Sequence, residues 1–209
     1  MEELQRRLLE MGGLVEAAIH GSVQALAQRD GEAARQVLES EERINRMEME
    51  NDSLTIGLLS RAGTDAGGLR LLVAAIKINH DLERMGDLAA NIARRALTLM
   101  EEPPVKPLID IPRMAQLAER MVGQSLDAFV QRDAALARAV LADDDEVDGL
   151  RDSIYQELAR FMQEEPGTVP RALNLLFVAR NLERIADHAT NIAEDVLFLV
   201  EGIDVRHTG

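Results

Sequence analysis

Apolar residues recur along this chain at alternating spacings of three and four. One run is Ala75, Ile78, Leu82, Met85, Ala89, Ile92, Ala96 and Leu99. A second is Leu175, Val178, Leu182, Ile185, Ala189, Ile192, Val196 and Leu199. Such seams belong to long helices packed nearly aligned in a bundle. Val37, Ile44, Met47 and Leu54 form a sparser seam, echoed by Val140, Val147, Leu150 and either Glu157 or Leu158. Breaks fall at "QRDGE" (28–32), "RAGTDAGG" (61–68), "QRDAA" (131–135) and "EEPGTVP" (164–170). The proline-rich "EEPPVKPLIDIP" (101–112) cannot continue a helix and reads as a linker. The pattern predicts six helices, near 2–28, 32–61, 66–101, 109–131, 134–164 and 169–201. A helix of thirty residues is about 45 Å long.

The pattern is written twice. "DLERMGDLAANIARRALTLMEE" (81–102) aligns without a gap to "NLERIADHATNIAEDVLFLVEG" (181–202). "LAQRDGEAARQVLESEERINRMEMEN" (26–51) aligns to "FVQRDAALARAVLADDDEVDGLRDSI" (129–154). The expected fold is therefore all-α: a tandem duplication of a three-helix bundle, with repeats at 1–102 and 103–209.

Composition narrows the chemistry. Hydrophobic residues make up 46% of the chain and aromatic residues only 2%, so the core must be built from Leu, Ile, Val, Ala and Met. Methionines 11, 47, 49, 85, 114 and 121 read as core filling. There are 37 acidic and 23 basic residues, a formal charge of −14. That surface repels nucleic acid and attracts cations. With no cysteine, disulfides and thiolate metal sites are excluded. No apolar run approaches the roughly 20 residues of a membrane span, and the start "MEELQRRLLEMGG" lacks a signal-peptide core. A soluble protein of a reducing compartment is expected.

Glu83, Asp87 and Asn91 share one stripe of a helix at about 100° per residue, as do Glu183, Asp187 and Asn191. The wheel places both stripes off the apolar seam, facing outward. Neighbouring positions diverge: Arg94 and Arg95 become Glu194 and Asp195, which is how a solvated face drifts. Yet Glu, Arg, Asp and Asn persist at 83/183, 84/184, 87/187 and 91/191. Carboxylates four residues apart repel by about 0.2–0.5 kcal/mol. They also align hard oxygen donors suited to Mg²⁺, Mn²⁺, Ca²⁺ or iron. One helix cannot complete a coordination shell. The preceding helix offers Asp144 and Asp148 in one repeat and Glu41 and Asn45 in the other. The repeated stripe points either to a cation site or to a protein-binding face, with Arg84 and Arg184 available for ion pairs. The histidines at 20, 80, 188 and 207 are unmatched between repeats and read as ordinary surface or boundary residues. None has a glutamate three residues before it, which disfavours a ferritin-like carboxylate enzyme.

"LERMGDLAANI" and "RNLERIADHATNIAE", with "MGGLVE" (11–16) and the tail "VRHTG" (205–209), resemble the PhoU family across essentially the whole chain. The resemblance implies a cytoplasmic, non-catalytic regulator of phosphate uptake, peripheral at the inner face of the membrane. It implies an adaptor between the phosphate ABC transporter and a sensor histidine kinase, and a homodimer is expected. It also implies iron, manganese or magnesium ions, singly or in multinuclear clusters, on paired acidic motifs. By position those motifs are Glu83 with Asp87, Glu183 with Asp187, and Asp144 with Asp148. Glu41 with Asn45 departs from the pattern by an amide, so the two sites are expected to differ.

Overall fold

The computed structural model describes residues 1–60, 65–105 and 110–202. Six long helices carry the chain: α1 (Glu2–Gln28), α2 (Gly31–Leu59), α3 (Ala66–Leu99), α4 (Asp110–Gln131), α5 (Ala134–Glu164) and α6 (Val169–Glu201). A single 3₁₀ turn, Pro166–Thr168, precedes α6, and no strand occurs among the described residues. The expected bounds hold within one or two residues wherever they can be compared. The tail at 205–209 and part of the 61–68 break lie outside the described residues.

The turns between the first two helices of each repeat are built alike. Arg29 and Arg132 adopt left-handed backbone, at φ 57° and 54°, and so end α1 and α4. Asp30 and Asp133 follow as N-caps. Asp30 accepts from the backbone N–H groups of Glu32 and Ala33, and Asp133 from those of Ala135 and Leu136. Each carboxylate satisfies donors that the first helical turn leaves open. Arg29 also donates to the carbonyls of Leu99, Met100 and Glu102, which ties the end of α3 to the α1–α2 turn.

Helices α1, α2 and α3 pack on one another, as do α4, α5 and α6; the two sets meet through α3 against α6 and α1 against α4. The heptad seams supply the core, with Met11, Ile44, Ile78, Leu82, Met85 and Ile92 fully buried. Leu158 is buried, so it and not Glu157 completes the α5 seam. Met49 departs from expectation: it is 60% exposed on α2.

Repeat equivalence extends to packing and charge. Ser22 donates to the carbonyl of Ile19 and Ser125 to that of Val122, both at 2.8 Å and both buried. This fixes α1 and α4 in register 103 positions apart. Arg43 of α2 pairs with Glu10 of α1 at 3.2 Å. The equivalent pair, Arg113 of α4 with Glu146 of α5 at 3.0 Å, has the signs exchanged. Gly86 lets α2 approach α3: a Cβ there would lie 3.0 Å from Ile44 Cδ1. The other repeat has Val147 and Ala186 at these positions, both fully buried. Ile with Gly and Val with Ala carry the same number of side-chain carbons, so the volume is conserved while its source shifts.

Helices α3 and α6 run antiparallel. Lys77 reaches Asp195, Asp81 reaches His188, and Arg95 reaches Asn174. This overturns the reading of positions 95/195 as part of a freely drifting solvated face, whereas Arg94 is exposed and pairs with Glu41 of its own repeat. Asp195 is only 6% exposed, and Arg95 donates to Asn174 at 2.9 Å while stacking over Phe177 at 4.6 Å. Positions 95 and 195 are where the repeats meet, and they differ because each faces a different partner.

Candidate functional site

The acidic stripes stand outward only in part: their glutamates are largely covered. The Glu83 side chain is 14% exposed and that of Glu183 21%. Glu83 lies towards α2, near Glu48, and Glu183 meets Arg151 of α5. The conserved stripe therefore lines two grooves, one between α2 and α3 and one between α5 and α6. Asn91, Asn191 and Asp187 are exposed, and Asp87 is half-buried. The single-helix wheel failed because α3 and α6 each pack on several neighbours, so residues beside one seam are covered by the next helix.

In the first-repeat groove, ligand atoms of Glu48, His80 and Glu83 lie within 4.8 Å of one another. Burial, followed by repulsion from Asp87, raises the Glu83 carboxyl above its ordinary value. Glu83 Oε2 is buried with no hydrogen-bond partner, as is Asn45 Oδ1. Buried acceptors without partners are costly. A hard cation would satisfy such an acceptor, and an oxygen-rich donor set with one imidazole is of the kind that suits magnesium, manganese or iron. Arg84 lies along the stripe, 3.4 Å from both Glu83 and Asp87. Glu41 sits farther along the groove, where Arg94 bonds it at 2.6 Å and also donates to Asn91 at 2.9 Å.

The second-repeat groove is composed differently. Burial, then Asp187 and Asp148, push the Asp144 carboxyl up to about 6. The Asp187 side chain is open to solvent on one side, and partial desolvation on the other, then Glu183, raise its carboxyl above the ordinary value. Asp144, Asp148, Glu183 and Asp187 therefore act on one another across α5 and α6. One cation is already present in the protein: Arg151, at the position equivalent to Glu48, pairs with Glu183 and lies 3.0 Å from Asp148. The guanidinium leaves Asp144 and Asp187 as the donors most open to an added ion. Arg184 is exposed and lowers the Asp187 pKa by its charge.

Sequence reasoning passed over Glu48, His80 and Arg151. Glu48 follows Asn45 by three residues and Glu41 by seven, so it extends the α2 row. Repeat identity carries no signal for it, because its counterpart Arg151 is a cation. His80 was set aside for the same lack of a match. His207 lies outside the described residues.

Comparison with known proteins agrees with this duplicated architecture. The PhoU domain family matches residues 8–96 and again 111–196. The chain is 41% identical to a Pseudomonas aeruginosa protein named phosphate-specific transport system accessory protein PhoU homolog, covering 100% of this chain and 87% of that one. It is 40% identical to the Aquifex aeolicus protein of the same name, over 99% of this chain and 94% of the relative. The crystal structure of PhoU from Pseudomonas aeruginosa superposes with a TM-score of 0.93 at 40% identity, covering 97% of each chain. The phosphate transport system regulatory protein PhoU from Streptococcus pneumoniae superposes at 0.89 with 27% identity, over 98% of this chain and 96% of that one. With both repeats matched in sequence and the whole six-helix arrangement matched in space, this chain belongs to the PhoU family.

Proposed function

We propose that this protein regulates phosphate uptake and phosphate-starvation signalling by binding partners, not by catalysis. The names of its relatives support a role accessory to phosphate transport. No described helix is long and apolar enough to cross a membrane, which fits a protein that reaches the transporter from outside the bilayer. In this reading it acts in the cytoplasm, as a homodimer, between the transporter and a sensor histidine kinase.

The grooves hold hard cations, and the observation carrying this is the buried Glu83 Oε2 beside Glu48 and His80, which accepts no hydrogen bond and has Arg84 Nε only at 3.4 Å. A bound divalent ion would supply positive charge to these donors and cross-link α2 to α3. Glu48, His80, Glu83, Asp87 and Asn45 would hold it in the first repeat, and Asp144, Asp148, Glu183 and Asp187 in the second. The protein's own residues then position the groove rim: Arg84, Arg94 and Asn91 are exposed there, and a partner would compete for the pairs they make with Glu83, Asp87 and Glu41.

The test has two parts. Metal analysis of protein purified without added metal, followed by titration with Mg²⁺, Mn²⁺ and Fe²⁺, should show ions that Glu48→Gln/Glu83→Gln removes. Affinity for the transporter ATPase and the kinase should fall in the same variant. Metal lost with partner affinity unchanged would take metal out of the signalling mechanism and favour the second reading, a metal-independent helical adaptor. Arg151 supports that alternative for the second repeat, because it already neutralises part of the cluster.

A further inference from the structure

Away from the acidic grooves, α1 and α2 enclose an open cleft of about 370 Å³ whose charged lining is Arg6, Arg7, Arg43 and Arg46 with Glu10 and Glu50. Four guanidiniums meet two carboxylates there, in a chain whose formal charge is −14. Arg43 leans on Glu10 at 3.2 Å, and Arg7 pairs with Glu50. Arg6 is held mainly by Glu3, at 2.7 Å. Arg46 makes no ion pair or side-chain hydrogen bond among the described residues. A guanidinium presents planar, paired donors that match the oxygens of a tetrahedral oxyanion.

One of the four is anchored from the core. Arg7 Nε donates to Asn51 Oδ1 at 2.8 Å. Asn51, fully buried, donates through Nδ2 to Asn79 Oδ1 at 2.9 Å. Asn79, also buried, donates to the backbone carbonyl of Glu48 at 2.9 Å and to Asp52 at 3.0 Å. A buried polar chain thus crosses α1, α2 and α3 and fixes Arg7 in orientation.

The second repeat carries other residues at these positions. Where the first has Arg7, Arg43, Arg46, Asn51 and Asn79, the second has Asp110, Glu146, Gly149, Ile154 and Ala179. Ile154 and Ala179 are fully buried and pack without a polar group. The bundle core therefore has no packing need for two amides. Their presence in one repeat alone is accounted for by what they hold, which is Arg7 at the edge of the cleft.

We propose that the cleft between α1 and α2 is a binding site for a small tetrahedral oxyanion of the phosphate type. Arg43 and Arg46 are the main ligands, and Arg7 is positioned by the Asn51–Asn79 chain. The oxyanion displaces Glu10 and Glu50 from their arginines, and its attraction to guanidiniums in an open cleft is screened by salt. The site rests on its own residues and does not depend on the cation reading of the grooves.

The experiment is calorimetric titration of the full chain with inorganic phosphate at low ionic strength, with and without added Mn²⁺. The expected result is saturable binding at one site per chain, with sulfate competing. Arg43→Ala/Arg46→Ala should weaken it about tenfold or more, the scale of a lost charged hydrogen bond. Asn51→Ile/Asn79→Ala installs the second repeat's residues; it should weaken binding several-fold while the protein still melts cooperatively. Arg113→Ala, in the second repeat, should change nothing. Glu50→Gln removes a competing carboxylate and should tighten binding, an independent check should the arginine variants fold poorly. The proposal is overturned by absence of saturable binding at millimolar phosphate in both metal states, by binding indifferent to Arg43 and Arg46, or by Glu50→Gln leaving affinity unchanged. Arginine-dependent binding to phosphatidylglycerol vesicles but not to inorganic phosphate also overturns it.

Discussion

Lys77 Nζ lies 2.6 Å from Asp195 Oδ1 and joins the first repeat to the second across the α3–α6 contact. The equivalent positions, Phe177 and Arg95, meet as a ring under a guanidinium. One chain thus solves the same contact twice with different chemistry.

Removing Lys77 leaves a nearly buried carboxylate without its nearest cation. Lys77 is itself partly solvated, so the loss falls below that of a fully buried pair. Lys77→Met should cost about 1–2 kcal/mol in chemical denaturation. Lys77→Phe/Asp195→Arg, which copies the other contact, should recover part of that loss. Equal stability of Lys77→Met and the parent would show that the pair contributes nothing.

Asp144 predicts a pH dependence. Its carboxyl is raised to about 6 from an ordinary value of 3.8. Between these values the folded chain holds a proton that the unfolded chain has released. The group's contribution to stability therefore grows as pH falls through that window and is least favourable above it. In metal-free protein Asp144→Asn should raise Tm at about pH 7.5, and the gain should disappear by about pH 4. A Tm difference independent of pH would contradict the burial and crowding assigned to this carboxyl.

Arg151 predicts a metal dependence. Arg151→Ala removes the guanidinium from Glu183 and Asp148 and restores a bare acidic groove. With chelator present the variant should melt below the parent. Millimolar Mg²⁺ or Mn²⁺ should raise its Tm more than that of the parent, because a ligand bound only by the folded state stabilises it. Identical metal responses would mean that the arginine does not stand in for an ion.

Gly86 tests the conserved packing volume. Gly86→Ala places a methyl group 3.0–3.1 Å from the Ile44 side chain. It should cost about 1 kcal/mol, at the low end for overpacking, and Ile44→Val/Gly86→Ala should return most of it. Additive losses in a double-mutant cycle would show that the two positions do not share one space.

The chain's own pattern was enough for the helices, the duplication and the core. Seams at three and four residues need only local periodicity, and the capping aspartates Asp30 and Asp133 are local as well. The rows at 83, 87, 183 and 187 stand out in the sequence because duplication repeated them. What lies across two helices does not. Glu48 and His80 join Glu83, and Arg151 enters the second groove, through contacts that no single-helix wheel contains. The repeat comparison suppressed them, since it selects what the copies share and these residues are where the copies differ.

The sequence by itself determined six helices, their bounds and their apolar faces, because helix formation and amphipathic periodicity depend on neighbours within a few turns. Only the tertiary structure decided that the glutamates of the acidic rows turn into grooves while the rest of each row stays near solvent, that Asp195 and Asp81 are buried contacts between repeats, and that two core asparagines hold an arginine at a cleft. Each depends on which helix covers which, and that follows from the packing of side chains far apart in the chain.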